Sequence, residues 1–383
     1  MHSLDRFLTT HTGSLPRPDD LVALMIATQK GEAVDDDALE AEIVRAVDES
    51  TRRQVEAGID IVNDGEMSKP SYATYVLQRL NGFGGSGNSF PFADLKDFPK
   101  LAARVADDPG RQYRRTPGCN APISVADFDA ARKDMERLKS AAAAAGASQI
   151  FTSAASPGVI SLFFRNEYYR THEEYVFAIA EAMRHEYETI AEAGAIVQLD
   201  CPDLAMGRHV HYADASLEDF LKICNIHIEA LNHAVRNIPA EQLRMHFCWG
   251  NYPGPHHCDV DLAKIIDLAW KAKPHALLVE AANPRHAHEW QVFEDHKLPE
   301  GKVIVPGCIE PQSTYIEHPE LIAQRIGRYA DLVGRENVVA GVDCGFSIHV
   351  GMGAVDRDLS YAKLAALAEG ARIASKKYFP KAA

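Results

Sequence analysis

Eight short apolar segments, separated by stretches with helical periodicity, are the feature that most constrains how this chain can fold. They lie at residues 7–13, 59–66, 149–155, 195–201, 242–249, 275–281, 303–309 and 338–344. Their length and composition are typical of buried strands. Regular alternation of such strands with helices is typical of a parallel α/β sheet. Eight units of this kind predict an α/β protein with a (β/α)8 TIM-barrel fold.

The stretch from residue 81 to 130 does not fit a minimal barrel. It begins with a glycine-rich run and continues into a polar, proline-bearing region. We interpret it as an inserted segment that contains a hairpin and serves as a lid or as a contact of a homo-oligomer. No internal repeat is found, so residues 1–383 are predicted to form one catalytic barrel domain, with two domains as the alternative.

The charge balance excludes several classes of function. The chain carries 40 basic and 54 acidic residues, a net charge of -14, which argues against binding to nucleic acids or anionic membranes. No apolar run approaches the ~20 residues that a membrane span requires, and Met1–Arg6 has no signal-peptide character. An odd number of cysteines, seven in all, favours free thiols in a reducing cytoplasm.

Residues that can bind metals recur at the carboxyl ends of the predicted strands. In a barrel these ends face one mouth, where active sites lie. His246 and Cys248, two positions apart in one predicted strand, are expected to point to the same side. Glu280 and Cys344 end two later strands. Each alone is compatible with a core position, but imidazole, thiolate and carboxylate together predict a Zn²⁺ site.

The chemistry of this ligand set favours reactions of thiols over hydrolysis. Two thiolates and a carboxylate lower the Lewis acidity of a metal, and no H-E-x-x-H motif of a zinc hydrolase is present. An incoming thiol that displaces Glu280, the weakest ligand, loses its proton to the charge of the metal and becomes a nucleophile. Glu280 is therefore predicted to be both a metal ligand and a catalytic residue.

Several motifs occur in the order in which one known family has them. They are Thr10–Arg17 (T-H-T-G-S-L-P-R), Asp64-Gly65-Glu66, Asp200-Cys201-Pro202, His246-Phe247-Cys248, Glu280 and Asp343-Cys344-Gly345. On these motifs the chain resembles, over nearly its full length, the catalytic C-terminal barrel of cobalamin-independent methionine synthase, a family of zinc thiol-alkyltransferases. The resemblance implies methyl transfer from a small-molecule donor to a thiol, homocysteine, with Ser14, Glu66 and Asp200 binding the acceptor.

The chain departs from this family on the side of the methyl donor. Cys201 stands where the family has glutamate. Cys308-Ile309-Glu310 lacks the histidine that serves the folate donor, and residues 152–157 lack the tryptophan that stacks on the pterin. The resemblance therefore leaves the donor open between folate, an epoxide and a methylated corrinoid protein.

Two alternatives to homocysteine methylation remain at this point. In an epoxyalkane:coenzyme M transferase, a relative with the same H-x-C pattern, the sulfonate of the thiol requires a cation. Arg17, Lys69, Arg165 and Arg208 are the candidates for that cation. The other alternative is a zinc-free barrel, similar to uroporphyrinogen decarboxylase or a binding protein, in which the cysteines belong to the core.

Two histidines in mouth loops are the remaining catalytic candidates. His209 follows the fourth predicted strand and His256 follows the fifth. Either residue is placed to line the donor pocket or to supply a general acid for the leaving group. The alternative interpretation is that both are ordinary loop histidines.

Overall fold

A parallel sheet that closes on itself forms the centre of the molecule. The computed structural model describes residues 1–108, 114–352 and 355–380. The strands are β1 Ile61–Val62, β2 Leu80–Gly87, β3 Pro117–Val125, β4 Gln149–Ala155, β5 Ile196–Asp200, β6 Leu243–His246, β7 Ala276–Val279 and β8 Val303–Pro306. Strands β1, β4, β5, β6, β7 and β8 pair in that order, and each pair is parallel.

Two short segments complete the ring between β8 and β1. Ile304 forms a parallel bridge with Val338, Ala340 with Thr9, and Thr10 with Ile61. The amide of Thr10 donates to the carbonyl of Ala340 at 2.9 Å. Eight parallel segments therefore surround the barrel axis, as the predicted (β/α)8 fold requires.

The first and last predicted strands are much shorter than expected. Residues 7–13 and 338–344 contribute isolated bridges instead of continuous strands. Gly13 has a φ of 138°, which is a conformation that favours glycine. The last segment still follows β8 through backbone hydrogen bonds, because the amide of Gly341 donates to Pro306 at 3.1 Å and the amide of Asp343 donates to Ile309 at 2.9 Å.

The helices that surround the sheet begin where the sequence signals place them. The α-helices of the described residues are Asp19–Lys30, Asp36–Glu56, Pro99–Ala106, Ala130–Ala145, Pro157–Phe163, His172–Glu192, Gly207–Val210, Leu217–Ala234, Ile266–Ala269, Val292–Asp295, Pro319–Val333 and Arg357–Tyr378. The hydroxyls of Thr171 and Ser216 cap two of them by accepting backbone amides. In the part of the chain that is described, no helix combines the length and the apolarity needed to cross a bilayer.

The inserted segment contains the predicted hairpin and reaches the barrel mouth. Strands β2 and β3 pair antiparallel, and the helix Pro99–Ala106 lies between them in the chain. Phe92 packs against Tyr252, with 4.1 Å between ring centroids. The hydroxyl of Tyr252 donates to Asp94 at 2.5 Å. The insertion therefore supports the loop that follows β6.

A buried arginine lies inside the barrel, below the mouth. Arg244 of β6 is fully buried and donates to the hydroxyl of Thr10 at 2.9 Å and to the carbonyl of His11 at 2.8 Å. Its guanidinium lies 3.6 Å from the ring centroid of Phe151. Burial lowers the pKa of Arg244 to about 9, so the side chain is still a cation at neutral pH.

Candidate metal and thiol site

Three of the four predicted zinc ligands converge at the mouth of the barrel. His246 is the last residue of β6, Cys248 lies two residues beyond that strand, and Cys344 follows the closing segment at residues 338–341. One ligand atom from each of the three lies within 4.8 Å of the others. The two sulfur atoms are 3.5 Å apart. The backbone pairing continues past β6, because the amide of Phe247 donates to Leu278 at 2.9 Å, and His246 and Cys248 lie two positions apart, as predicted.

The geometry of these three residues fits a bound zinc ion. A sulfur separation of 3.5 Å is too long for a disulfide bond of about 2.05 Å, and it is close to the ~3.8 Å between two sulfurs on a tetrahedral zinc. Both ring nitrogens of His246 are buried and have no hydrogen-bond partner within the described residues. Burial, together with the charge of Arg244, lowers the pKa of His246 to about 3, which keeps the imidazole neutral as a ligand requires.

Glu280, the fourth predicted ligand, lies beside the other three and already has partners. Its Oε1 accepts the amide of Trp249 at 2.8 Å, and its Oε2 accepts the side chain of Asn283 at 2.8 Å. It also contacts the thiol of Cys248. Burial and the neighbouring Cys248 raise the pKa of Glu280 well above its usual range. A cation between these groups would remove that penalty, and the role of Glu280 as a ligand stays a prediction.

Asp343 is a site residue whose role the sequence alone did not reveal. Its Oδ1 accepts the amides of Ala281 and Ala282, both at 2.8 Å, and its Oδ2 accepts the amide of Asn283 at 2.8 Å. Asp343 therefore ties the loop after Glu280 to the segment that carries Cys344. The available signal was its place directly before Cys344, since residues that orient metal ligands often adjoin them.

The predicted acceptor residues share a cleft with the predicted metal ligands. Ser14, Glu66 and Asp200 line this cleft together with the three converging residues. Glu66 has a φ of 61°. Its Oε1 accepts the hydroxyl of Ser153 at 2.6 Å, whereas its Oε2 is buried and has no hydrogen-bond partner in the described chain. The cleft therefore contains an acceptor atom that a ligand could satisfy.

Two carboxyl groups give this cleft an acidic character. Burial raises the pKa of Glu66 above its ordinary value. Burial and the charge of Glu66 raise the pKa of Asp200 well above its ordinary value, although the amide of Gln198 donates to Asp200 at 2.8 Å. Both shifts show that negative charge is unfavourable here without a compensating cation. An ammonium group in the cleft would provide that compensation.

The two candidate histidines occupy different positions around one buried carboxylate. His256 lines a second cleft, of about 290 Å³, that also borders Glu280 and Cys344. The Nδ1 atom of His256 lies 3.0 Å from Asp259. His209 is buried on the other side, with its Nδ1 atom 3.2 Å from Asp259. The structure therefore places His256 at the edge of a cleft and His209 behind it.

Comparison with known proteins places the chain among relatives of similar length. The curated methionine synthase of Saccharolobus solfataricus is 25% identical over 382 residues, covering 97% of this chain and 96% of the relative. The methionine synthase of Thermococcus kodakarensis is 24% identical over 371 residues, covering 96% and 94%. These coverages mean that both relatives match from end to end.

A solved structure confirms the fold. The B12-independent methionine synthase from Shewanella sp. W3-18-1, solved with selenomethionine, superposes with a TM-score of 0.73 at 19% identity, covering 97% of this chain and 98% of the other. The family model described as cobalamin-independent synthase, catalytic domain, matches residues 159–366, more than half of the chain. This match includes His246, Cys248, Glu280 and Cys344. The chain therefore belongs to the cobalamin-independent synthase family and carries its catalytic domain.

Proposed function

We propose that the protein is a zinc-dependent thiol alkyltransferase that methylates homocysteine. The observation that supports this most strongly is the shared cleft, in which His246, Cys248 and Cys344 face the carboxyl groups of Glu66 and Asp200. One set of residues suits a thiol-binding metal and the other suits an amine. The names of the relatives, methionine synthases, agree with a methyl group as the transferred unit.

The protein residues have distinct roles in this proposal. His246, Cys248, Cys344 and Glu280 would hold zinc, whose charge would keep a bound thiol deprotonated at neutral pH. Glu280 would give way to the incoming sulfur, because Trp249 and Asn283 already offer hydrogen bonds that can retain its carboxylate. Ser14, Glu66 and Asp200 would bind and orient the amino-acid end of the acceptor.

The charges around the cleft support an amine-bearing thiol over a sulfonate such as coenzyme M. The four cations considered for a sulfonate are engaged with the protein. Arg17 donates to three backbone carbonyls, and Lys69 donates to the carbonyl of Ser153. Arg208 donates to carbonyls at residues 212 and 213, and Arg165 pairs with Glu167. A sulfonate would also face two carboxyl groups, whereas an ammonium group would neutralise them.

The interpretation as a zinc-free barrel finds less support in the same geometry. A core histidine is expected to have its ring nitrogens hydrogen-bonded, because a buried polar atom without a partner costs about 1–3 kcal/mol. His246 has both nitrogens buried and no partner for either within the described residues. A metal bond to one nitrogen would remove much of that cost, which favours the liganded interpretation.

The proposal also covers the class of alkyl donor and the cellular location, each in general terms. The donor is a small molecule or a corrinoid protein that presents an alkyl group at the second cleft, beside Cys344. All seven cysteines are free thiols, which suits a reducing cytoplasm. The proposal includes a single catalytic domain and a homo-oligomer in which residues 81–130 contribute to the interface.

Metal analysis combined with a thiol screen tests the proposal. Purified protein is expected to contain one zinc per chain, and zinc-loaded protein is expected to accelerate the reaction of iodomethane with homocysteine more than with coenzyme M. Cys248→Ser should lose the zinc and the acceleration. Cys308→Ser is the matched control, because Cys308 is a buried strand-end thiol that hydrogen-bonds the Pro306 carbonyl. Equal zinc content in both variants, or a preference for coenzyme M, would contradict the proposal.

A further inference from the structure

Two residues other than glycine have a positive φ in the parts of the chain that the structure describes. They are Glu66, at 61°, and His256, at 55°. This conformation is uncommon for residues with a Cβ atom, and it occurs preferentially at functional sites. Glu66 lies in the acceptor cleft, on one side of the cysteine pair, and His256 borders the second cleft. The position of His256 therefore suggests a functional constraint on that side as well.

Both ring nitrogens of His256 face hydrogen-bond acceptors. Its Nδ1 atom lies 3.0 Å from the carboxylate of Asp259, and its Nε2 atom lies 3.2 Å from the carbonyl of Tyr252. Both partners are acceptors, so both ring nitrogens must carry protons to satisfy them. Burial alone would lower the pKa of His256, but the hydrogen bond and charge of Asp259 raise it overall. The residue is thus supplied with a proton that it can donate.

Asp259 is fixed by residues on several sides. Besides His256 it contacts the Nε2 atom of His286 at 3.1 Å and the Nδ1 atom of His209 at 3.2 Å. His286 is itself held by Glu289, at 2.8 Å. These contacts hold the carboxylate of Asp259 in place, and the carboxylate in turn fixes the orientation of the His256 imidazole.

The inserted segment fixes the backbone of the same loop. Asp94 is completely buried and accepts the amide of His256 at 2.9 Å and the hydroxyl of Tyr252 at 2.5 Å. The rings of Tyr252 and His256 stand 4.5 Å apart. The positive φ of His256 is thus maintained by a carboxylate that comes from outside the barrel proper.

Other titratable side chains that line the second cleft are poorly placed to give a proton to a ligand. The hydroxyl of Tyr252 is directed to Asp94. Glu310 accepts the amides of Gln312 and Ser313, so it acts as a carboxylate acceptor within its own loop. Arg285, a guanidinium, does not release its proton in proteins. Glu280 and Cys344 are predicted metal ligands, and Asp343 accepts three backbone amides. His256 is therefore the best-placed proton donor, and its Nε2 makes the longer of its two hydrogen bonds.

We propose that His256 is the general acid that protonates the leaving group of the alkyl donor, with Asp259 and Asp94 as its positioning residues. The inference rests on the proposed alkyltransferase function. The thiolate sulfur forms a bond to the alkyl carbon, and the bond from that carbon to the leaving atom breaks. The electron pair stays on the leaving atom, which takes the Nε2 proton. The products are a thioether and a protonated leaving group, and solvent returns a proton to His256.

Two small alkylating probes separate acid catalysis from thiol activation. Iodide leaves iodomethane without needing a proton, whereas the oxygen that leaves carbon when epoxypropane opens must be protonated. The measurement is the ratio of the epoxypropane rate to the iodomethane rate for homocysteine, on zinc-loaded enzyme and in free solution. The wild-type enzyme is expected to raise this ratio above its solution value, because a general acid contributes about 10²–10⁴-fold.

A matched pair of variants tests the assignment. His256→Gln is expected to lower the ratio about 10²-fold while zinc content and the iodomethane rate stay unchanged. The control is His257→Gln, because His257 is the exposed neighbour that pairs with Asp97. If His256→Gln unfolds at a lower temperature than the wild type, His256→Asn provides a second measurement of the ratio, because asparagine tolerates a positive φ. Asp94→Asn is expected to lower the ratio in part, without changing the iodomethane rate.

The outcomes distinguish this inference from the function on which it rests. An unchanged ratio in both His256 variants, with zinc and the iodomethane rate retained, overturns the role of His256 alone. The same conclusion follows if the wild-type ratio does not exceed that of free homocysteine. If the wild-type protein binds no zinc and does not accelerate iodomethane, the proposed function fails and this inference fails with it.

Discussion

Replacing Glu66 with glutamine should weaken the binding of homocysteine and at the same time stabilise the fold. The change keeps the shape of the side chain and removes one negative charge from the acceptor cleft. The buried Oε2 of Glu66 has no partner in the described chain, so it is the acceptor best placed for the ammonium group. A hydrogen bond to a charged group contributes about 1.5–3 kcal/mol, which corresponds to roughly a 10- to 150-fold change in the dissociation constant.

The stability effect has the opposite sign. Burial raises the pKa of Glu66 in the folded protein, and Glu66 in turn raises that of Asp200. A carboxyl group with a raised folded pKa contributes its stability below the unfolded pKa, of about 4.3, and that contribution is lost as the pH rises. Glu66→Gln should therefore match the wild type in acid and unfold at higher denaturant concentration near neutral pH.

Calorimetric titration of the zinc-loaded protein measures the binding effect. The acceptors are homocysteine and 4-mercaptobutyrate, which has the same thiol and carboxylate but lacks the amine. Only homocysteine should bind more weakly to the variant, because only its ammonium group can use the charge of Glu66. Equal losses for both acceptors would refute the assignment of Glu66 as an amine ligand. Urea unfolding at pH 4 and pH 7 tests the stability effect, and a variant that is less stable at pH 7 would refute the electrostatic argument.

Two further substitutions test the support of the site. Asp343→Asn should weaken zinc binding about 10- to 100-fold, as measured by competition with a chelator, because Asp343 holds three amides of the loop after Glu280. Unchanged zinc affinity would show that this loop does not position the metal. Gly13→Ala should lower homocysteine affinity without loss of zinc, because the new Cβ would lie 2.9 Å from Oε1 of Glu66, at a φ of 138°. A variant that loses zinc as well would show a wider disturbance of the mouth.

The barrel could be predicted from the sequence because its strands are local features. Segments such as residues 149–155 are short and apolar. The helices between such segments have their own start signals, such as the capping residues Thr171 and Ser216. The ends of these segments could not be predicted as well. The first and last segments pair through isolated bridges, which depend on the tertiary arrangement of the barrel and not on local sequence.

The predicted metal ligands could be selected from the sequence by residue type and by their place at strand ends. The hydrogen bond from the amide of Gly250 to the sulfur of Cys248, at 3.2 Å, could not be predicted in this way. The two carboxylates that support His256 were beyond the reach of sequence patterns. No sequence motif marks Asp259 as a partner of His256, and Asp94 lies 162 positions before His256. Such contacts depend on tertiary packing, which periodicity and residue spacing do not encode.

The hydrogen bond between Asp94 and Tyr252 predicts that these two positions covary in evolution. Both side chains are almost completely shielded, at 0% and 3% exposure, so neither can exchange its partner for water. Substitution of Asp94 alone would leave the buried hydroxyl of Tyr252 without its acceptor, and substitution of Tyr252 alone would remove one of the hydrogen bonds to Asp94, each at a cost of about 1–3 kcal/mol. In descendants of this protein the pair should therefore be inherited, lost or exchanged together, although one residue lies in the segment 81–130 and the other in the loop after β6.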